Sequence, residues 1–417
     1  MKLEKPVNDN YTATVVEIKK INQLEGCDNV VGAPLLGFQA IVSKNTKVGD
    51  IGIVFVAETQ LSEEYTSVNN LYRHSERNKD KSVKGYIEDT RRVKAMKFRG
   101  HRSDALFMPL ESLAFTKIKI DELKVGDSFD KLNGKDICKK YTLKKEYDRT
   151  AKNQEAKFRR VEEKFLPEHY DSENYWRNMD NIKPDRQVVI TQKLHGTSIR
   201  IGNTIVKRTL TKKDKIAKKL GVAVIEKEFA HVYGSRRAIK DPNNTDQEHF
   251  YDMDVWTIAG QKLDQDIPEN FIVYGELIGW LPTGAPIQRN YTYRIPEGTD
   301  ELYVYRVAVV TNQGMLVDLG WEQVKKFCDD RGLKYVPELW VGKHSDFNTD
   351  DWMNKNYFKE GFKNAVPLAD ESPCDEGVCI RVEGIAPYIL KAKSPDFLLH
   401  ETKMLDEEVQ DIEEQSV

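Results

Sequence analysis

Val188-Val189-Ile190-Thr191-Gln192-Lys193-Leu194-His195-Gly196-Thr197-Ser198-Ile199-Arg200 begins with an apolar, β-branched run that reads as a buried strand. The strand ends in Lys193, a glycine-containing turn follows, and a second short strand resumes over 198–201. Such an arrangement holds one amine at the lip of a sheet. It also provides, at Gly196, a backbone that a ligand can approach closely. Taken alone, the stretch reads better as an ordinary hairpin with a solvated lysine. The features further along the chain decide between the two.

Outward from this stretch the pattern is mixed α/β. Phe271-Ile272-Val273-Tyr274 is a strand that ends in Gly275-Glu276-Leu277. Residues 302–310 alternate as a strand through Tyr303, Tyr305 and Val307, and 376–382 and 388–393 are further short strands. Apolar positions fall at helical spacing over 247–260. Residues 321–331 are amphipathic and close at Gly332, a C-cap. The segment 209–220 is strongly basic and expected to be exposed. The end of the chain is acidic and expected to be loose. No internal repeat is present.

The first part of the chain reads differently. Residues 10–113 show short alternating strands with Gly/Asp turns, which suggests a small Greek-key barrel of the OB type. Arg92-Val93-Lys94-Ala95-Met96-Lys97-Phe98-Arg99 alternates cation with apolar residue. Arg92, Lys94, Lys97 and Arg99 would then form either a nucleic-acid-binding face or a solvated edge protected by charge. The stretch 61–85 reads as a long polar loop, and 139–164 as a linker with a basic, mixed-charge helix. The fold class expected is α+β: an OB-type β-barrel over 1–115, a linker with a basic helix over 116–180, a domain of antiparallel sheets and helices over 181–404, and an acidic tail over 405–417.

Composition sets bounds. The 417 residues suffice for two or three cores, and 39% apolar with 31% charged residues describe a globular protein with a highly charged surface. A net charge of -3 gives no global attraction to nucleic acid, so any polyanion site must be a local patch. No run approaches membrane-spanning length, and Met1-Lys2-Leu3-Glu4-Lys5-Pro6 lacks the apolar core of a signal peptide. Five scattered cysteines without a CxxC pair fit a reducing cytoplasm and argue against structural zinc.

Five features then follow in one order: Lys193-Leu194-His195-Gly196, Ser235-Arg236-Arg237, Tyr274-Gly275-Glu276-Leu277, Glu376-Gly377-Val378 and Leu390-Lys391-Ala392-Lys393. Each occurs by chance in many proteins; the ordered set at strand ends and turns is far more specific. The set makes chemical sense as a nucleotidyl-transfer site. A lysine nucleophile must be neutral although its reference pKa is about 10.4, and nearby cations depress that value. Arg236, Lys391 and Lys393 could supply the charge and neutralise an α-phosphate during in-line attack. Glu276 and Glu376 offer hard oxygen ligands for Mg²⁺. In the plainer alternative Glu276 is a buried carboxylate paired with Arg236, and Tyr305 a core aromatic.

On these residues the chain resembles the covalent nucleotidyltransferase superfamily of polynucleotide ligases and capping enzymes. Within it the likeness is nearest to ATP-dependent RNA ligases of the Deinococcus type, which carry an N-terminal OB domain. The resemblance implies that Lys193 carries AMP as a phosphoramidate, and that Arg236 and Glu276 contact the ribose. It places Thr191 and Gln192 beside the adenine, Tyr305 against the ring and Gly196 close to the nucleotide. It gives Glu376 a metal-linked role, has Lys391 and Lys393 grip the α-phosphate, and makes Arg200 a weaker phosphate or ribose contact. His195 stands where the common pattern has aspartate and resembles the variant of the Deinococcus-type branch. The OB-like part precedes the transferase, unlike most DNA ligases and capping enzymes. The implied protein is a monomeric cytoplasmic enzyme that uses ATP with Mg²⁺ (or Mn²⁺) to seal RNA, as a nicked duplex or as broken ends. DNA nick sealing, GTP-dependent capping and a non-catalytic nucleic-acid-binding protein are the alternatives. The basic stretches around Lys97, Lys145 and Lys213 would hold the nucleic acid.

Overall fold

The computed structural model describes residues 3–143, 160–243, 247, 249–251, 253–349, 352 and 357–409. Most of the basic linker helix expected over 139–164, Lys145 included, and the end of the acidic tail lie outside them. The chain forms two compact units: Met1–Lys144, Glu173–Asp180 and Ala392–Gln410 make the first, and Lys145–Ser172, Asn181–Lys391 and Asp411–Val417 the second. The class is α+β, rich in sheet.

In the first unit a six-stranded sheet runs in the order Val30–Leu35, Phe38–Ser43, Ala105–Pro109, Ile51–Val56, Ala13–Glu17, Ser128–Phe129. Its central strands are largely apolar because both faces are covered. Ala13, Val15, Ile53 and Phe55 pack with Leu61, Tyr65, Leu113, Phe129 and Ile137 on one side. Val16, Val54 and Val56 pack with Val31, Ala33, Ala40 and Leu398 on the other. Period-2 alternation thus feeds two cores from one strand. Among the described residues no ladder joins the two ends of the path, so the closed barrel expected from the turn pattern is absent there.

Four further expectations are corrected here. The stretch 61–85 is built rather than loop-like: Ser62 caps the helix Glu63–Val68. Buried Asn78 then donates to the carbonyls of Tyr72 and Val83, both at 2.9 Å. Residues 116–143 are core-forming, since Leu123, Phe129, Leu132, Ile137 and Cys138 are buried with the first cluster. The cationic strand shrinks to Met96–Phe98, paired with His101–Ser103. Arg92 is 3% exposed. It lies 3.3 Å from Glu58 and also pairs with Asp406, while Lys94 pairs with Glu88 at 2.7 Å and Asp406 at 2.9 Å. These two cations are spent internally; only Lys97 and Arg99 are exposed, and Arg99 donates to the Gly26 carbonyl at 2.8 Å. The helix Pro395–Asp406 therefore belongs to the packed unit, and the tail begins later than expected.

The second unit holds two sheets. One orders Ile239–Lys240, Lys227–Ser235, Thr197–Lys207, Phe271–Gly279, Asp300–Val310 and Leu316–Asp318, with Lys334–Tyr335 added in parallel on Asp300–Val310. In the other, Glu338–Lys343, Gln187–Lys193, Gly377–Val382 and Tyr388–Lys393 lie side by side. The stretch 188–200 is consequently not a hairpin. Gln187–Lys193 pairs with Glu338–Lys343 and Gly377–Val382, and Thr197–Lys207 pairs with Lys227–Ser235 and Phe271–Gly279. The turn 194–196 carries the chain from one sheet to the other.

Candidate active site

That crossing fixes the site. In the sheet the chain is leaving, Lys193 stands opposite Gly377. The register delivers the preceding residue, Glu376, to the lysine: Lys193 Nζ donates to Glu376 Oε2 at 2.8 Å. The same oxygen lies 3.5 Å from His195 Nδ1. In the sheet it enters, Ser198 stands opposite Glu276. The Gly196 amide donates to Glu276 Oε1 at 2.9 Å, and the Ser198 hydroxyl reaches Oε2 at 3.4 Å. The His195 amide donates to the Tyr293 hydroxyl at 2.8 Å, and the His195 ring meets Tyr291 edge-on at 4.7 Å. The amides of His195 and Gly196 are thereby each held by a buried side chain, which fixes the crossing.

Gly196 is required by packing. A Cβ there would sit 2.2 Å from the Leu277 carbonyl, so the close approach the sequence anticipated is to the neighbouring strand.

Beside the turn opens a cleft of about 750 Å³ lined by both sheets, with Lys193, Arg236, Glu276, Tyr305, Arg381 and Lys391 on its walls. Thr191 and Gln192 also border it. The Gln192 side chain is directed into the core: its amide donates to Asp375 Oδ1 at 2.7 Å, and its Oε1 accepts the Val366 amide at 2.9 Å. Burial pushes the Asp375 carboxyl up to about 6, against the hydrogen bonds from Gln192 and Phe362. Gln192 therefore braces the strand, and Thr191 is the neighbour that faces the cleft. On the opposite wall Arg236 pairs with Asp171. Burial would raise that carboxyl, but Arg236, with Lys391 and Arg237 beyond, holds it below the usual carboxylate range.

Two expected residues are placed elsewhere. Arg200 is buried and donates to the carbonyls of Leu166 at 2.7 Å and Arg237 at 3.0 Å. It is not a cleft residue. Lys393 donates to Glu401 at 2.7 Å within the first unit, and only Lys391 of the expected lysine pair lines the cleft.

The walls also include residues that sequence reasoning passed over. His169 packs against Tyr305 at 5.0 Å and Tyr274 at 5.9 Å. Trp321 lines the cleft while donating its indole N–H to Glu338 at 2.7 Å. Arg381 is buried; it donates to the Tyr305 carbonyl at 3.3 Å and the Leu319 carbonyl at 2.7 Å, which ties the aromatic strand to the floor. Cys379 also borders the cleft, but burial pushes its thiol up to about 11, so thiolate chemistry is not available to it. No local signal marked these residues; each is defined by pairings distant in sequence.

Among the described residues no cluster of three or more His, Cys, Asp or Glu could hold a metal alone. The donor set still suits Mg²⁺, which takes one or two carboxylates and completes its shell with water and substrate phosphates. Glu376 and Glu276, one from each sheet, are the carboxylates at hand. Cations and carboxylates in one cleft, around an amine on a rigid strand end, fit a polyphosphate electrophile and an amine nucleophile.

Comparison with known proteins gives three findings. The family described as RNA ligase matches residues 186–393. No curated protein matches the chain. Among solved structures, a Naegleria gruberi RNA ligase variant with ATP and Mn is similar at 14% identity and TM-score 0.58, over 95% of this chain and 99% of that one. The Naegleria gruberi RNA ligase with PPi is similar at 16% identity and TM-score 0.59, over 94% and 98%. A further variant with AMP and Mn is similar at 15% identity and TM-score 0.57, over 93% and 97%. At such identities the likeness is one of fold.

Proposed function

From the match of residues 186–393 to the RNA ligase family we propose that the chain is an ATP-dependent RNA ligase that joins 3′-hydroxyl and 5′-phosphate ends through a lysyl-AMP on Lys193. The observation that carries this reading is the amine of Lys193, held on a strand end by Glu376 and lining a cleft that also holds Arg236, Lys391 and the Glu276 carboxylate. That ATP, AMP, pyrophosphate and manganese accompany the similar structures supports the nucleotide and a divalent cation.

Three transfers share the site. First the neutral Lys193 amine attacks the α-phosphorus of ATP, a P–N bond forms, the α–β bridging P–O bond breaks, and pyrophosphate leaves. The ion pair to Glu376 must open for this, and Glu376 Oε2 is the acceptor placed to take the amine's proton. Next an RNA 5′-phosphate oxygen attacks the same phosphorus and releases the lysine. Finally the 3′-hydroxyl attacks the activated 5′-phosphate and AMP leaves. Lys391 and Arg236 face the charge that develops on the equatorial oxygens, Tyr305 and Thr191 offer the base a flat wall, and Glu276 holds the turn that aims the nucleophile. A divalent cation held by Glu376 with phosphate oxygens and water would neutralise the triphosphate.

The same reading takes the first unit as an OB-type nucleic-acid-binding module and residues 181–404 as the adenylylation domain. It assigns the chain to the Deinococcus-type branch, with His195 as its marker, and to RNA repair by a cytoplasmic monomer. Its support is the order of a β-rich first part before the transferase motifs. Among the described residues no helix is long and apolar enough to cross a membrane.

The test is incubation with α-labelled ATP and a divalent cation. Label should remain covalently on the chain, vanish in Lys193→Ala and move to a 5′-phosphorylated RNA. A chain that takes no label, or a Lys193→Ala variant that does, overturns the reading.

A further inference from the structure

Residues 208–226 leave the seven-stranded sheet between Thr197–Lys207 and Lys227–Ser235 and carry the helix Lys212–Lys219, none of whose residues is buried. So short a helix is marginal in water without packing, yet its start is carefully built. Thr211 Oγ1 accepts the Asp214 amide, the Asp214 carboxylate accepts the Thr211 amide, and Arg208 pairs with that carboxylate at 3.1 Å. Five of its eight residues are lysines. Lys218 pairs with Glu226, whereas Lys212, Lys213, Lys215 and Lys219 have no ion pair or hydrogen bond among the described residues. Helical spacing sets Lys212, Lys215 and Lys219 in one row, roughly 10 Å long at about 1.5 Å per residue. Like charges so placed weaken a helix. Folding does not explain them.

A polyanion does. The row matches the axial rise of about three nucleotides, at about 3.4 Å each along one strand. A membrane surface fits less well. Ile216 and Leu220 are exposed, but they span only about 40° of the circumference, where a helix lying on lipid needs an apolar face of about 100° or more. The position of the arm adds a length. The strand pair that bears it runs from Ile199↔Ser235, next to the cleft residues Ser198 and Arg236, to Lys207↔Lys227. Eight residue steps at about 3.3 Å make roughly 26 Å, the rise of about eight nucleotides.

We propose that this arm is a second RNA contact, in which Lys212, Lys215 and Lys219 grip backbone phosphates about eight nucleotides from the break being sealed. The inference rests on the RNA ligase reading for its ligand.

The experiment compares the full chain with K212Q/K215Q/K219Q, glutamine being a good helix former, and with the triple arginine variant. All three should take AMP label equally, because ATP does not reach the arm. On a nicked RNA duplex with about twelve base pairs either side, the glutamine variant should lose affinity on the order of a hundredfold at about 0.1 M salt. Its slope of log affinity against log salt should flatten by about two to three. On a duplex with about five base pairs either side it should match the parent, and the arginine variant should behave as parent on both. A parental slope, or an equal loss on short and long duplexes, overturns the proposal. So does a loss of binding to phosphatidylserine vesicles with RNA binding intact. A labelled chain with a parental slope sinks the arm alone; an unlabelled parent with an arm-dependent slope sinks the ligase reading and keeps the arm.

Discussion

The Gly196 amide donates to the Glu276 carboxylate at 2.9 Å, so the turn that follows Lys193 is fastened to the sheet it is entering. Glu376 does the corresponding work on the sheet the chain is leaving, through Lys193 Nζ at 2.8 Å. One glutamate from each sheet brackets the turn, and the two sheets together set where the amine points.

Glu276→Gln keeps an acceptor for Gly196 but removes the charge. Hydrogen bonds to charged groups exceed neutral ones by roughly 1 kcal/mol, so the first-turnover rate of AMP labelling should fall about fivefold with the melting temperature held. Glu276→Ala leaves the Gly196 donor unpaired and should lose about a hundredfold, with a lower melting temperature. Parental labelling rates in both variants would make Glu276 a strand filler only.

Lys193→Arg and Lys193→Ala should both be silent in the labelling assay and differ in stability. Arginine preserves a partner for Glu376, which is 3% exposed. Alanine removes the ammonium from that buried carboxylate, and removing one partner of a buried pair costs about 3 kcal/mol or more. Thermal melts of the two variants against the parent decide it; equal losses would mean that the pair contributes nothing to the fold.

The local pattern of the chain was sufficient for many of the elements and for much of the cleft. The strands Gly377–Val382 and Tyr388–Lys393 and the helix Trp321–Asp329 lie where alternation and helical period put them. Lys193, Arg236, Glu276, Tyr305 and Lys391 do meet around one space. What local pattern does not encode is which sheet a strand joins, hence the mistaken hairpin at 188–200. Nor does it encode what lies opposite a charge. Arg92 alternates with apolar residues as a solvated cation would, yet it is buried against Asp406, 314 residues away. Lys391 and Lys393 share a strand face by period, but Glu401, one helix on, takes Lys393.

Arg200 offers a direct test of such a correction. Its guanidinium holds two backbone carbonyls that nothing else would satisfy in the same way. Arg200→Lys cannot reproduce the fork and should cost about 1–3 kcal/mol of stability. The ATP concentration that half-saturates labelling should stay at the parental value. A raised ATP requirement at an unchanged melting temperature would restore Arg200 to the nucleotide.

Glu58 gives the first unit a pH dependence with a definite sign. It is 2% exposed, accepts the Thr402 hydroxyl at 2.5 Å and lies 3.3 Å from Arg92. Burial, then Glu401, push its carboxyl up to about 7, while Arg92, Thr402 and Lys393 pull it down. An acid whose pKa rises on folding binds a proton more tightly when folded. Its contribution is therefore complete below the unfolded value of 4.5 and is lost as pH rises through about 7. The span corresponds to about 3 kcal/mol at most, or several degrees of melting temperature. The parent should thus melt higher at pH 5 than other titrations alone would give, and lose that margin by pH 7.5. Glu58→Gln, neutral throughout, should show a flatter profile across this window. Profiles that run parallel between pH 5 and 7.5 would show that Glu58 titrates at its ordinary value.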